Sequence, residues 1–177
     1  MTGRRLRLRP LASADAAALA EAVEASRAVL RRRFGWVDGS VGPADSARFI
    51  AEQAWAWDSG CACAFGVFEL RSRRLVGVAS LSSIAPQAKA EFSLWIRPQD
   101  RDKGYAVEAG RLVTERAFRR LSLHRIHARI DPANRAARKV LQRLGFRYEG
   151  CLRADKRLHA RWIDQECWGM LRSEWKR

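Results

Sequence analysis

The chain has 177 residues and is 47% hydrophobic, enough for a sizeable core and too much for a disordered protein. Its net charge is +15, which favours anionic partners. The basic residues nevertheless scatter, apart from Arg31-Arg32-Arg33 and the N-terminal strand, and no RNA-binding aromatic signature accompanies them. Nucleic acid is therefore not expected as a substrate.

No apolar run is long enough to span a bilayer, and the basic stretch Met1 to Pro10 has no apolar signal core behind it. These features predict a cytoplasmic protein with no membrane partner, and the length predicts one domain over residues 1–177. Cys61, Cys63, Cys151 and Cys167 fit no zinc or redox spacing and are expected to be buried free thiols.

In chain order, Arg4 to Pro10 alternates Arg with Leu6 and Leu8 and predicts a strand ended by proline. Ser13 is placed to cap an Ala-rich helix running to about Leu30. Residues 31–42 form a loop carrying Phe34 and Trp36. Pro43 suits the first turn of a second helix with Ala47, Ile50, Ala54 and Trp57 as its apolar stripe. From Cys61 the period changes. Cys61 to Leu70 and Leu75 to Ile84 predict an antiparallel hairpin, and Pro86-Gln87 turns the chain into a strand starting at Lys89.

Pro98 closes that strand, having no N–H for a ladder, and Gly104 opens a helix with Ala106, Gly110, Val113, Ala117, Phe118 and Leu121 inward. A strand passing through a tight turn into a helix N-terminus leaves several backbone N–H groups unpaired, and the helix dipole adds to their pull on phosphate. Side chains at Gly104 and Ala106 would hold a pyrophosphate away from the backbone. Neither G-x-x-x-x-G-K-[ST] nor G-x-G-x-x-G is present, so P-loop and dinucleotide-fold readings lack their fingerprints. Arg125 to Ile130 is the next strand, with His127 and Arg129 on one face. Asp131-Pro132-Ala133-Asn134 starts a helix with Ala136, Ala137, Val140, Leu141 and Leu144 inward, ended by Gly145. Phe146 to Leu152 and Trp162 to Leu171 pair as a final hairpin.

Arg101-x-x-Gly104-x-Ala106 resembles the pyrophosphate-binding turn of the GNAT N-acetyltransferases. The longer run Arg97 to Glu108, then His124-Arg125-Ile126, Asp131 to Ala137, Leu144-Gly145-Phe146 and Glu149-Gly150, is similar to the RimJ/RimL type. Leu6 to Leu11 and the Trp36-Val37-Asp38 loop fit as well, so the resemblance covers nearly the whole chain. It implies an α/β (α+β) GNAT fold: one mixed, mostly antiparallel sheet of about seven strands, flanked by about four helices.

The resemblance further implies acetyl-CoA as co-substrate, without a metal. The backbone of Leu94 and Ile96 would hold the pantetheine arm, and the amides of Arg101, Asp102, Lys103, Gly104, Tyr105 and Ala106 the pyrophosphate. Asn134 would hydrogen-bond the cofactor, a plain N-cap being the alternative. The family commonly has Gly where Asp102 stands; this carboxylate must point to solvent, with Lys103 offsetting its charge. The hydroxyl acids of relatives are replaced by Ala137 and Leu141, and Lys156 stands where RimL-like enzymes carry a carboxylate. Glu91 and His127 are the candidate bases, each with a structural alternative, and Trp36 is a candidate for the acceptor pocket. The expected acceptor is a small amine or a protein N-terminus. A catalytically weak acyl-CoA-binding protein is the alternative function, and a homodimer is expected from family habit.

Overall fold

The computed structural model describes residues 1–85 and 88–176; the turn expected at Pro86-Gln87 lies outside them. Seven strands form one sheet: β1 (Leu6–Arg9), β2 (Cys63–Glu69), β3 (Leu75–Ala85), β4 (Lys89–Ile96), β5 (Arg125–Ile130), β6 (Arg147–Leu158) and β7 (Arg161–Leu171). Their order is β1-β2-β3-β4-β5-β7-β6, and every neighbouring pair is antiparallel except β4 and β5. The helices are α1 (Ala16–Glu24), α2 (Arg27–Leu30), α3 (Pro43–Asp58), α4 (Tyr105–Arg119) and α5 (Arg135–Leu144). Among the described residues no helix is long and apolar enough to cross a membrane.

Each face of the sheet has its own core. Leu6, Leu8, Phe65, Val67, Leu81, Phe92 and Ile126 pack with Val113, Ala117 and Phe118 of α4 and Leu141 of α5. On the opposite face Phe68, Leu75 and Val78 pack with Leu19 and Val23 of α1 and Ile50 of α3, and Trp95 lies against them. Both faces of β2 are thus covered, and its first six residues are all buried.

Several expectations need correction. The Ala-rich helix breaks at Ala25-Ser26, because Arg27 donates to the carbonyls of Val37 (2.7 Å) and Ser40 (2.6 Å) and holds α2 against the following loop. Tertiary contacts here outweigh helix propensity. Ser13 caps nothing; Asp15 instead accepts from the Ala12 N–H at 2.7 Å. In α3, Ala47 and Ala54 face solvent while Ser46, Ile50 and Ala56 are buried, because Phe49, Ile50 and Trp57 have more apolar area to hide. Of the four free cysteines only Cys63 is fully buried: Cys61 precedes β2, Cys151 lies on the open edge strand β6, and Cys167 is half-buried. In α5 only Leu141 is fully buried and Ala136 is exposed. The last hairpin is longer than expected, since an irregularity between Leu152 and Lys156 lets Lys156 to Leu158 keep pairing with Arg161 to Ile163.

Candidate active site

The parallel pair β4–β5 is short, spanning only Lys89↔Arg125, Ala90↔Ile126 and Glu91↔His127. Beyond Glu91 the strands part. On its other side β4 stays paired with β3 as far as Ile96↔Gly77, and the Arg97 N–H donates to the Val76 carbonyl at 2.8 Å. Hydrogen-bonded and non-bonded pairs alternate along an antiparallel ladder. Trp95 and Ser93 therefore bond to β3, while Leu94 and Ile96 turn their N–H and C=O groups toward the gap that β5 has left. The result is a slot edged by unpaired backbone, suited to an extended amide-bearing arm. Leu94 and Ile96, to which the resemblance assigns the pantetheine arm, both lie on this edge.

The slot runs toward the N-terminus of α4. Among the described residues, the backbone N–H groups of residues 102 to 107 find no acceptor within the protein. The Arg101 amide, by contrast, donates to the Pro98 carbonyl at 3.2 Å, so the free amides begin at Asp102. Gly104 has φ +76° and Asp102 φ +58°, so the turn enters the left-handed region twice. That conformation suits Gly and is tolerated by Asp, which explains Asp where a Gly is usual. Asp102 is exposed, as expected, but Lys103 does not offset it: its Nζ donates to Asp100 at 2.9 Å. Asp100 is fully buried and also receives Arg74 at 2.7 Å. The Tyr105 side chain is buried and its hydroxyl donates to Glu69, so only its backbone is available to a ligand.

A clamp from the far edge of the sheet fixes this turn. Arg5 donates from Nη1 to the Lys103 carbonyl at 2.6 Å and from Nε to Glu108 at 3.0 Å. The Glu108 carboxylate also accepts the backbone N–H groups of Arg5 (2.7 Å) and Leu6 (3.1 Å). Those bonds hold its carboxyl below the usual range, against the opposing effect of burial. Gly110 lets α5 approach α4, since a Cβ there would stand 2.5 Å from Leu144 Cδ1. At the start of α5, Asn134 Oδ1 accepts the Ala137 N–H at 3.2 Å, so the residue is an N-cap whose side-chain NH₂ remains a donor.

Glu91 and His127 are brought together as cross-strand neighbours where the strands fork, on the face opposite α4 and α5. Burial pushes the His127 imidazole below its ordinary value; Glu91 opposes this and Arg129, Arg125 and Lys89 add to it. Its Nδ1 is buried and has no partner among the described residues. A neutral imidazole with a free nitrogen can accept a proton. The residue that sequence reasoning undervalued is Lys156. Its Nζ donates to the Arg33 carbonyl at 2.8 Å and lies 5.4 Å from the Phe34 ring centroid. Phe34 and Trp36 stand 6.0 Å apart, so Trp36 belongs to the same wall, half exposed at 48%. Leu141, at a relative's acid position, is buried at 3% in the α4–α5 core.

A parallel fork beside a helix N-terminus of free amides suits a ligand with an extended amide-bearing arm and a phosphate. Residues 5–147 match the family described as an acetyltransferase (GNAT) domain, and the chain belongs to that family. It is similar to a probable N-acetyltransferase, YjcK, of Bacillus subtilis (strain 168), with 35% identity over 109 residues, 60% of each protein. The spermidine N(1)-acetyltransferase of Escherichia coli (strain K12) shares 34% over 62 residues, 35% of this chain and 33% of that enzyme. Among solved structures, RimL, a ribosomal L7/L12 alpha-N-protein acetyltransferase in complex with coenzyme A, has the same fold. Its TM-score is 0.90 at 19% identity, over 96% of this chain and 95% of RimL. The microcin C7 self immunity acetyltransferase MccE, in complex with acetyl-CoA and AMP, gives 0.89 at 19% identity, over 96% and 93%.

Proposed function

We propose that the protein transfers an acetyl group from acetyl-CoA to a primary amine by direct attack of the amine on the thioester. The observation that carries this reading is the fork between β4 and β5 leading to the free amides of residues 102 to 107. The pantetheine arm lies along Leu94 and Ile96 as an added strand, and the pyrophosphate sits on the amides of Asp102, Lys103, Gly104, Tyr105 and Ala106. Asn134 contributes its side-chain NH₂, and Arg101 is exposed beside the turn. The neutral amine attacks the carbonyl carbon. Negative charge then gathers on the carbonyl oxygen, where a backbone N–H near Leu94 stabilises it. The C–S bond breaks, CoA leaves as thiolate, and the proton lost by the nitrogen passes to His127 directly or to Glu91 through water.

The position of Ala137 and the burial of Leu141 leave no hydroxyl acid on α5, which also suits a weakly catalytic acyl-CoA-binding protein. Free-thiol release from acetyl-CoA with an amine panel separates the two readings: transfer gives thiol in step with acetylated amine, and binding alone gives none. Gly104→Glu and Arg101→Glu place negative charge against the pyrophosphate. Each is expected to weaken acetyl-CoA binding at least tenfold by calorimetry, the size of one lost charge-assisted hydrogen bond. Arg101 is exposed, so its variant tests the site without strain at a left-handed position. Unchanged affinity in both folded variants refutes the location. The reading extends to a homodimer, supported by the exposed Tyr148, Leu152 and Trp162 on the edge hairpin. Sedimentation showing only monomer at micromolar concentration overturns that extension.

A further inference from the structure

The sheet register places Lys156 on the same face as Glu91 and His127. His127 is opposite Gly169 and Arg129 opposite Cys167 on β7, and the alternation continues through Gln165 to Ile163, whose partner on β6 is Lys156. Ile163 lies beyond Glu166, the partner of Ile130 at the C-terminal end of β5. Lys156 therefore stands on the side toward which β4 and β5 diverge, across the opening from Glu91.

Its surroundings are those of a held cation. The ammonium is pinned by the Arg33 carbonyl at 2.8 Å and faces the Phe34 ring, two partners that suit the charged form. Its strand end is fixed to the same loop, since His159 Nε2 meets the Arg31 carbonyl at 2.7 Å. Two of its three N–H groups have no acceptor among the described residues, and no carboxylate lies within ion-pair distance. The nearby acids Asp131 and Asp155 are already paired, with Arg33 at 3.0 Å and Arg129 at 3.5 Å. Burial pulls the Lys156 ammonium below its ordinary value, and Glu91 and Asp131 oppose this without pairing with it. Among the described residues, Glu91 thus stands without an ion pair beside the point where the thioester would lie, and Lys156 without one across from it.

We propose that Lys156 is an anion subsite of the acceptor pocket, and that the acceptor is an amine that also carries a carboxylate. This inference rests on the acetyl-transfer reading above. The acceptor's ammonium is drawn to Glu91 before it loses its proton, and its carboxylate takes the two free N–H donors of Lys156. A polyamine meets Lys156 as a like charge and is disfavoured. Two sources offer this chemistry: a free amino acid, and a peptide with an acidic residue next to its N-terminus.

The test compares kcat/KM for C-terminally amidated Ala-Glu, Ala-Ala and Ala-Lys peptides of equal length and for free alanine beside alaninamide, with spermidine as the polyamine reference. The parent is expected to prefer the acidic peptide, or the free amino acid, over its neutral counterpart about tenfold, through KM, in line with one charge-assisted hydrogen bond. Lys156→Met should abolish the preference, Lys156→Arg should retain it, and Lys156→Glu should turn it toward Ala-Lys. A parent that favours spermidine or Ala-Lys overturns the proposal. So does a Lys156→Met variant that slows all acceptors equally, or one that leaves the acidic preference intact. Calorimetric titration of the same acceptors into the CoA-loaded protein must give the same order. Absence of thiol release with every acceptor refutes acetyl transfer, while the calorimetric order still decides the subsite.

Discussion

His127 shows how one residue's role follows from its surroundings. Alternation along Arg125 to Ile130 put His127 and Arg129 on one face, and the strand formed with those bounds. What the sequence did not contain was the register Glu91↔His127, which depends on long-range pairing rather than local pattern. An unperturbed imidazole near 6.5 would be the first expectation, but burial lowers the value despite Glu91. With an acceptor of known pKa, kcat/KM should therefore show a rise centred below 6.5, and His127→Gln should lose that limb and about 10²–10⁴-fold in rate. An unchanged profile in His127→Gln and in Glu91→Gln would leave positioning as the main contribution. Stability carries the same sign. The folded state prefers neutral His127, so this contribution is intact above the unfolded value near 6.5. It is lost as pH falls from there through the folded value, where the unfolded chain takes the proton first. Lys156 was visible as a departure from a resemblance, yet its partner Arg33 lies in a loop whose path no periodicity describes.

At the scale of elements, the helix that opens after Gly104 was the most legible part of the chain. Its apolar spacing and its glycine before Tyr105 both left clear marks. Its tie to β1 left none, because residues 5 and 108 are brought together only by the strand order β1-β2-β3-β4. That tie bears on the cofactor. The peptide whose carbonyl takes the Arg5 bond is the one whose N–H, on Gly104, is free for phosphate. A cation on the carbonyl polarises the peptide and strengthens its N–H as a donor. Arg5 is thus a positioning residue. Arg5→Gln is expected to raise KM for acetyl-CoA several-fold with kcat nearly unchanged, and Arg5→Lys to recover part of the loss. A fall in kcat at constant KM would count against this role. Glu108→Gln keeps the shape but weakens three bonds, and should cost about 1–3 kcal/mol of unfolding free energy in a urea titration.

Over the whole molecule, 34 basic residues face 19 acidic ones, so even complete pairing would leave a net charge of +15. Ion pairs such as Arg125–Glu149, Arg138–Glu166 and Arg9–Asp15 neutralise particular spots without removing the excess. The sequence disclosed this total but not its use, since a scattered charge is compatible with solubility alone. The fold supplies a reason to test for a use: the amides after Asp102 and the exposed Arg101 lie in that positive field. Acetyl-CoA is a polyanion, so the field should raise its local concentration and its rate of capture. Salt shortens the reach of the field from about 14 Å at 0.05 M to roughly 4 Å at 0.5 M, scaling from the Debye length at 0.1 M. KM for acetyl-CoA is therefore expected to rise several-fold over that range, with kcat at saturation nearly constant, because short-range bonds to the amides are screened far less. Arg101→Glu should raise KM at low salt and flatten its salt dependence. A flat KM in the parent would show that the local amides suffice and that the excess charge serves another partner. A salt-dependent shift with an RNA fragment, measured beside it, would identify that partner as a polyanion.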